Sequence, residues 1–308
     1  MDRKPPSITR RAFMLSAAAV ALGPRPFAAA AQAGIHTRPI PSTGERLPAV
    51  GMGTWLTFDV GADSWLRDER AKVLRAFFDL GGAVVDSSPM YGSSQEVLGY
   101  CLESIGGTTP LFAATKVWTP GRALGVRQMR HSRDLWGVER FDLMQIHNLV
   151  DWEVHLETLL EWKAAGKVRY IGVTTSHGRR HNDLTKIISK HPIDFIQCTY
   201  NILDRETEMR LLPLAAERGL AVIINRPFQG GGLFDRFRDQ PLPDWAAEFD
   251  AANWAQFFLK FIISHPAVTC AIPATTRVDH MAENMGALRG RLPDPRMRIR
   301  MANYVAGL

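Results

Sequence analysis

Eight short apolar runs alternate with eight helix-patterned stretches and no linker intervenes, which predicts an α/β chain folded as one closed (β/α)8 barrel of the TIM type. The runs carry Val, Ile and Phe on both faces, as strands must when helices cover the outside and side chains fill the inside. Polar residues of chemical interest fall at or just beyond the ends of the runs, which in such a barrel share one mouth.

The elements follow in order. Residues 36–50, with the turn Pro41-Ser42-Thr43-Gly44, predict a short N-terminal β-hairpin ahead of the first core strand. Core strands are expected at 51–55, 83–86, 111–117, 141–147, 170–174, 195–199, 221–225 and 269–273. Helices are expected near 66–80, 94–105, 123–137, 155–165, 181–190, 206–218, 253–264 and 279–287. Gly81-Gly82 and Gly219 suit the left-handed C-caps that end helices before strands. Pro192 and Pro266 stop two others. The segments 234–249 and 291–308 have no readable pattern and are expected to shape the pocket.

Composition is that of a globular protein: 308 residues, 46% hydrophobic and 22% charged. Cys101, Cys198 and Cys270 are too few and scattered for a disulfide framework, and no Cys or His spacing suggests a metal. The formal charge of +6 is concentrated at the start, where five basic residues face Asp2 within 1–33; only +2 is left for 34–308. That leaves no nucleic-acid footprint.

Residues 1–33 read as an address. Arg10-Arg11 precede the apolar stretch 13–22, too short to span a bilayer, and Ala31-Gln32-Ala33 forms a cleavage pattern. The pair followed by apolar residues resembles the twin-arginine signal of bacteria. The resemblance implies a signal peptide over 1–33 cleaved near Ala33, a barrel domain over 34–308, and a periplasmic location. It also implies the twin-arginine export machinery as a partner and membrane contact only during export. An uncleaved anchor or an ordinary secretion signal are the alternatives.

The chemistry centres on 84–99, VVDSSPMYGSSQEVLG. Asp86 ends a strand and Tyr91 stands in the loop after it. A phenol, with an ordinary pKa of about 10, needs a nearby cation to act as an acid at neutral pH, and a carboxylate must hold that cation. Lys116, ending LFAATK, is the candidate cation. His147, ending FDLMQIH, is a polar partner. Singly these would be a cap, a solvated charge and a core histidine; as an ordered set they point to a site.

Asp86, Tyr91, Lys116 and His147, in this order and spacing, resemble the tetrad of the aldo-keto reductase family, and the resemblance covers nearly the whole chain after residue 38. It implies a nicotinamide-dependent carbonyl reductase. Tyr91 would protonate the substrate oxygen, Lys116 and Asp86 would lower its pKa, and His147 would orient the carbonyl. Trp55 would line the substrate pocket, with Trp118 and Met90 as weaker candidates. Thr174, Thr175 and Gln197 would surround the nicotinamide carboxamide, although family members usually carry Ser-Asn where this chain has Thr174-Thr175. Three glycines, Gly230 first among them, let backbone N–H groups approach a pyrophosphate without the GxGxxG fingerprint. Where many members stack an aromatic on the nicotinamide, this chain has Asn225 and Arg226. Arg226 can stack or pair with phosphate, and Phe228 can supply a ring. Thr275 and Arg277 would hold a 2′-phosphate, with Glu283 and Asn284 near the adenine. The guanidinium fork of Arg277 favours NADP(H) over the alternative NAD(H).

The expectation is therefore a monomeric NADP(H)-dependent reductase of a small carbonyl compound. A non-catalytic nicotinamide-binding redox sensor on the same barrel is one alternative. Another barrel activity, a hydrolase or isomerase, would want paired carboxylates or a metal, and Asp86 has no such partner.

Overall fold

The computed structural model describes residues 34–106 and 110–308; the address-like segment lies outside them. The apolar runs form eight parallel strands: β3 (Met52–Gly53), β4 (Val84–Asp86), β5 (Phe112–Val117), β6 (Phe141–Ile146), β7 (Val168–Thr174), β8 (Phe195–Thr199), β9 (Ala221–Asn225) and β10 (Cys270–Ala271). They pair in chain order. The ring closes where the Gly51 N–H donates to Ala271 O (2.8 Å) and the Gly53 N–H to Pro273 O (2.9 Å). The end strands are shorter than expected because Pro273 has no N–H to extend the ladder.

Outer helices are α1 (Ser64–Asp79), α2 (Ser94–Ile105), α3 (Arg122–Trp136), α4 (Trp152–Ala164), α5 (His181–Lys190), α6 (Leu211–Glu217), α7 (Gly232–Phe237), α8 (Trp254–Ile263), α9 (Val278–Gly286) and α10 (Pro295–Gly307). The helix expected over 206–218 is broken. A 3-10 turn over Glu206–Met209 precedes α6. Pro213 explains the break, since its ring would clash with the carbonyl of residue 209 in a continuous helix. Among the described residues no helix is long and apolar enough to cross a membrane.

The hairpin, β1 (Thr37–Pro39) with β2 (Arg46–Pro48), plugs the N-terminal face of the barrel. Ile40 and Leu47 join Phe112, Tyr170 and Phe195 in the inner core. Polar groups fasten the plug. The Tyr170 hydroxyl donates to Glu45 Oε2 (2.7 Å), and Arg169 bridges Glu45 and Asp142.

Segment 291–308 does not shape the pocket. Pro295 starts α10 and Asp294 caps it, accepting the Met297 N–H at 2.7 Å. The helix then packs on the outer layer, where Tyr304 meets Trp245 edge-on at 5.5 Å. Only Phe234 of the expected 234–249 loop reaches the cavity. Beneath this layer Lys260 of α8 is fully buried, its ammonium donating to the carbonyls of Phe249, Asp250, Arg289 and Arg291 at 2.8–3.1 Å.

Helices α2 and α3 cross so closely that a Cβ at Gly99 would run into the carbonyl oxygen of Leu135. Gly99→Ala is expected to destabilise the fold by about 1–3 kcal/mol through overpacking, read from urea unfolding midpoints. An unchanged midpoint would mean the helices can part freely.

Candidate active site

The C-terminal ends of the strands bring the polar residues together. Strand register sets Lys116 of β5 beside Gln145 of β6, and Thr174 of β7 beside Gln197 of β8. Asp86, at the end of β4, is buried, and three donors converge on its carboxylate. Oδ1 pairs with the Lys116 ammonium; Oδ2 accepts from Gln145 Nε2 (2.9 Å) and Gln197 Nε2 (3.0 Å). Lys116 has no solvent exposure and also donates to Ser87 O at 2.8 Å. Its Nζ lies 5.1 Å from the centroid of the Tyr91 ring.

A tight turn presents Tyr91. The Tyr91 N–H donates to Ser88 O and the Ser94 N–H to Tyr91 O, both at 3.0 Å. Between them Gly92 is left-handed (φ 56°), and a Cβ there would strike the Asp59 carboxylate. Asp59 in turn accepts the Ser93 N–H and hydroxyl at 2.8 Å, tying the Tyr91 turn to the loop after β3. His147 meets Tyr91 edge-on, ring centroids 5.6 Å apart, and its Nδ1 lies 2.7 Å from Ser88 Oγ. Ser88 Oγ accepts the Met90 N–H (3.2 Å). Its own hydrogen is then suited to Nδ1, an arrangement that leaves Nε2 protonated as a donor.

Burial governs the protonation states. It pushes the Tyr91 phenol up; Lys116 pulls it back, and Asp86 adds to the rise, so the net direction is upward. The expected lowering by Lys116 is thus a counterweight, and the phenol keeps its proton. For Lys116, burial works against the ammonium, but Asp86 and Tyr91 outweigh it and the net direction is upward. Burial, helped by Lys116, drives His147 down to about 2, so the ring is neutral at any ordinary pH.

His265 is likewise lowered, to about 4. In the unfolded chain both rings bind a proton below their ordinary pKa, whereas in the fold they resist it. The histidines' contribution is then full above pH ~6.5, and each unit below costs up to about 1.4 kcal/mol per such histidine. Denaturant midpoints should fall as pH drops from 6.5 towards 4. A flat profile would overturn the neutral assignment.

A cavity of about 780 Å³ opens above this group. Asp86, Tyr91 and His147 form its base, while Lys116 lies beneath it, out of the wall. Trp55 and Met90 line one side; Thr174, Thr175, Gln197, Asn225, Arg226, Phe228, Gly230 and Thr275 line the rest. Besides Lys116, four expected residues stand outside the wall. Trp118 is exposed, and its backbone N–H and C=O are both bonded to the Gln128 side chain of α3 (2.6 and 3.0 Å). Arg277 is exposed and paired with Asp279. Glu283 is exposed and Asn284 is buried on α9.

Several side chains here escape sequence reasoning. Gln145 sits within an apolar strand run and reads as core; its one signal is an amide two residues before His147. His177, Arg179 and Arg180 follow β7 and read as solvated charge, yet all three line the cavity.

The cavity wall carries polar groups suited to holding part of a cofactor. Among the described residues Thr175 Oγ1 is buried without a partner, a spare hydroxyl facing ligand space. Asn225 is held by Thr199 Oγ1 (2.6 Å) and Thr175 O (2.9 Å), so it is fixed in the wall where it stands. Gly230 and Gly231, at φ 70° and 103°, turn backbone towards the cavity, and Arg226 lies alongside. Among the described residues no cluster of three His, Cys, Asp or Glu side chains suits a metal.

A sequence profile described as the aldo/keto reductase family matches residues 49–300. Methylglyoxal reductase YeaE of Escherichia coli is 26% identical over 251 residues, covering 80% of this chain and 87% of its own. Aldo-keto reductase YhdN of Bacillus subtilis is 29% identical over 203 residues, 60% of each chain. A crystal structure of an aldo-keto reductase from Klebsiella pneumoniae in complex with NADPH superposes with a TM-score of 0.72 at 23% identity, covering 85% of this chain and 92% of its own.

Proposed function

Since this chain belongs to the aldo/keto reductase family, we propose that it reduces an aldehyde or ketone to the alcohol with NADPH, using Tyr91 as the acid. The observation that carries the reading is the buried Lys116–Asp86 pair lying under a protonated Tyr91 at the base of the cavity. NADPH, when bound, supplies a hydride to the carbonyl carbon. The remaining work belongs to the protein. The C=O π bond breaks as the hydride arrives, and the Tyr91 hydroxyl gives its proton to the oxygen. Lys116 stabilises the phenolate left behind, and Asp86, held by Gln145 and Gln197, fixes the ammonium. Neutral His147 donates from Nε2 to the carbonyl oxygen and orients it. Solvent returns the proton to Tyr91.

Thr174, Thr175 and Gln197 take the carboxamide end of the cofactor, with Arg226, Gly230 and the Phe228 ring along its length. Thr275 and Arg277 take the 2′-phosphate. The Asp279 carboxylate competes for Arg277, so phosphate binding requires that fork to be shared. The NADP-bound relatives in this fold support the choice of NADP(H). The test is NADPH and NADH titration of the purified protein, read by tryptophan fluorescence, together with aldehyde-dependent oxidation of each. Arg277→Ala should weaken NADPH about tenfold, the order expected for a lost charge-assisted phosphate contact, and move NADH far less. Equal weakening of both would remove Arg277 from the 2′-phosphate. No aldehyde-dependent oxidation would sink the reductase reading.

A further inference from the structure

Hydride transfer leaves one wall of the cavity unexplained. The side built by the loop after β3 is apolar, with Trp55 and Leu56 both exposed at the mouth. Facing the same space, the loop after β7 contributes His177, Arg179 and Arg180. Asp86 is the one acidic side chain in the wall among the described residues, and Lys116 already neutralises it. The cavity is therefore apolar at one side and cationic at another.

The cationic loop is built into its shape. His177 and Arg180 hold left-handed backbone, φ 61° and 57°, a conformation that costs a non-glycine residue of order 1 kcal/mol or more. Hydrogen bonds maintain it. The His177 N–H donates to Thr199 Oγ1 at 3.0 Å, and the Arg179 N–H to Ser176 O at 3.2 Å. The Arg180 guanidinium spends its donors within the protein, on Asn148 O (3.1 Å), Leu149 O (3.3 Å) and Asp183. Those bonds anchor the loop beside the residues that follow His147. Arg179 is different: among the described residues its guanidinium makes no hydrogen bond or ion pair, although it lines the cavity. A strained loop that brings an unpaired arginine to a ligand space suits an anion.

We propose that the carbonyl substrate carries a carboxylate, which pairs with Arg179 while its apolar body lies along Trp55 and Leu56. This rests on the carbonyl-reductase reading and narrows it to oxo or formyl acids. Cofactor phosphate is the rival partner, but Arg226 and the glycines after β9 already offer it donors. The Asn148 and Leu149 contacts hold the Arg179 loop beside His147, where the reacting carbonyl sits.

The test compares 4-formylbenzoate with 4-formylbenzamide, equal in shape and differing by one charge, with NADPH as donor. The kcat/KM ratio should favour the carboxylate by about tenfold, fall towards one in Arg179→Gln and partly recover in Arg179→Lys, tenfold being about 1.4 kcal/mol. A ratio near one in the unaltered protein, or one that Arg179→Gln leaves in place, overturns the proposal while the reductase reading stands. So does an Arg179→Gln variant that loses NADPH affinity with the ratio intact, which would give the arginine to the cofactor. If neither aldehyde is reduced, the reductase reading itself fails and takes this proposal with it.

Discussion

Tyr91→Phe is expected to lower kcat for aldehyde reduction by about 10²- to 10⁴-fold, the range a positioned general acid supplies, while NADPH affinity changes by less than about twofold. The substitution removes one oxygen. The ring keeps its edge-on contact with His147 and its place over Lys116, so the fold and the cofactor wall stay as they are. Nothing nearby can take over the proton. His147 is held neutral, with burial driving its pKa to about 2. The Lys116 ammonium is clamped to Asp86 and Ser87 O, and its pKa is raised. Single-turnover reduction with bound NADPH separates the effect from binding. A rate close to that of the unaltered protein would mean that water or His147 is the acid, and the assignment of Tyr91 would fall.

Lys116→Met should be the most damaging single change to both stability and rate. Methionine nearly matches the lysine stem in volume but leaves the Asp86 carboxylate buried with only two amide donors and a nearby phenol. Breaking one half of a buried pair costs about 3–5 kcal/mol, and urea unfolding should show a loss of that order along with undetectable reduction. The double variant Lys116→Met/Asp86→Asn removes both charges and should recover much of the stability with none of the activity. That contrast separates the pair's chemical role from its structural one. A Lys116→Met protein as stable and active as the parent would mean that Asp86 never depended on the ammonium.

The barrel was legible because its strands are buried on both faces and therefore read as unbroken apolar runs, whatever the helices between them do. Asp86, Lys116 and His147 were legible for a related reason: each is a polar residue at or next to the end of such a run. Gln145 was hidden by the same logic. It lies inside its run, and nothing local says that an amide there turns towards a carboxylate two strands away. A tryptophan just past a strand end looks like a pocket wall, but Trp118 lies exposed outside the cavity, in a stretch whose backbone is bonded to Gln128 on α3. Arg179 was unreadable in principle, since only the left-handed turns beside it carry its side chain over the mouth.

The carbonyl cage around Lys260 bears on how the C-terminal third assembles. An ammonium without solvent exposure is tolerable only when its acceptors have arrived, and here they come from two stretches about forty residues apart, Phe249–Asp250 and Arg289–Arg291. Burial already lowers this lysine to about 8 with all four carbonyls in place. With either stretch undocked the charge would lose half its acceptors, so neither can detach cheaply while the other stays. The loop before α8 and the strap before α10 are thereby fused into one cooperative unit, opening and closing together. A single buried charge gives the closing layer of the barrel an all-or-none character that apolar packing, which can loosen by degrees, would not impose.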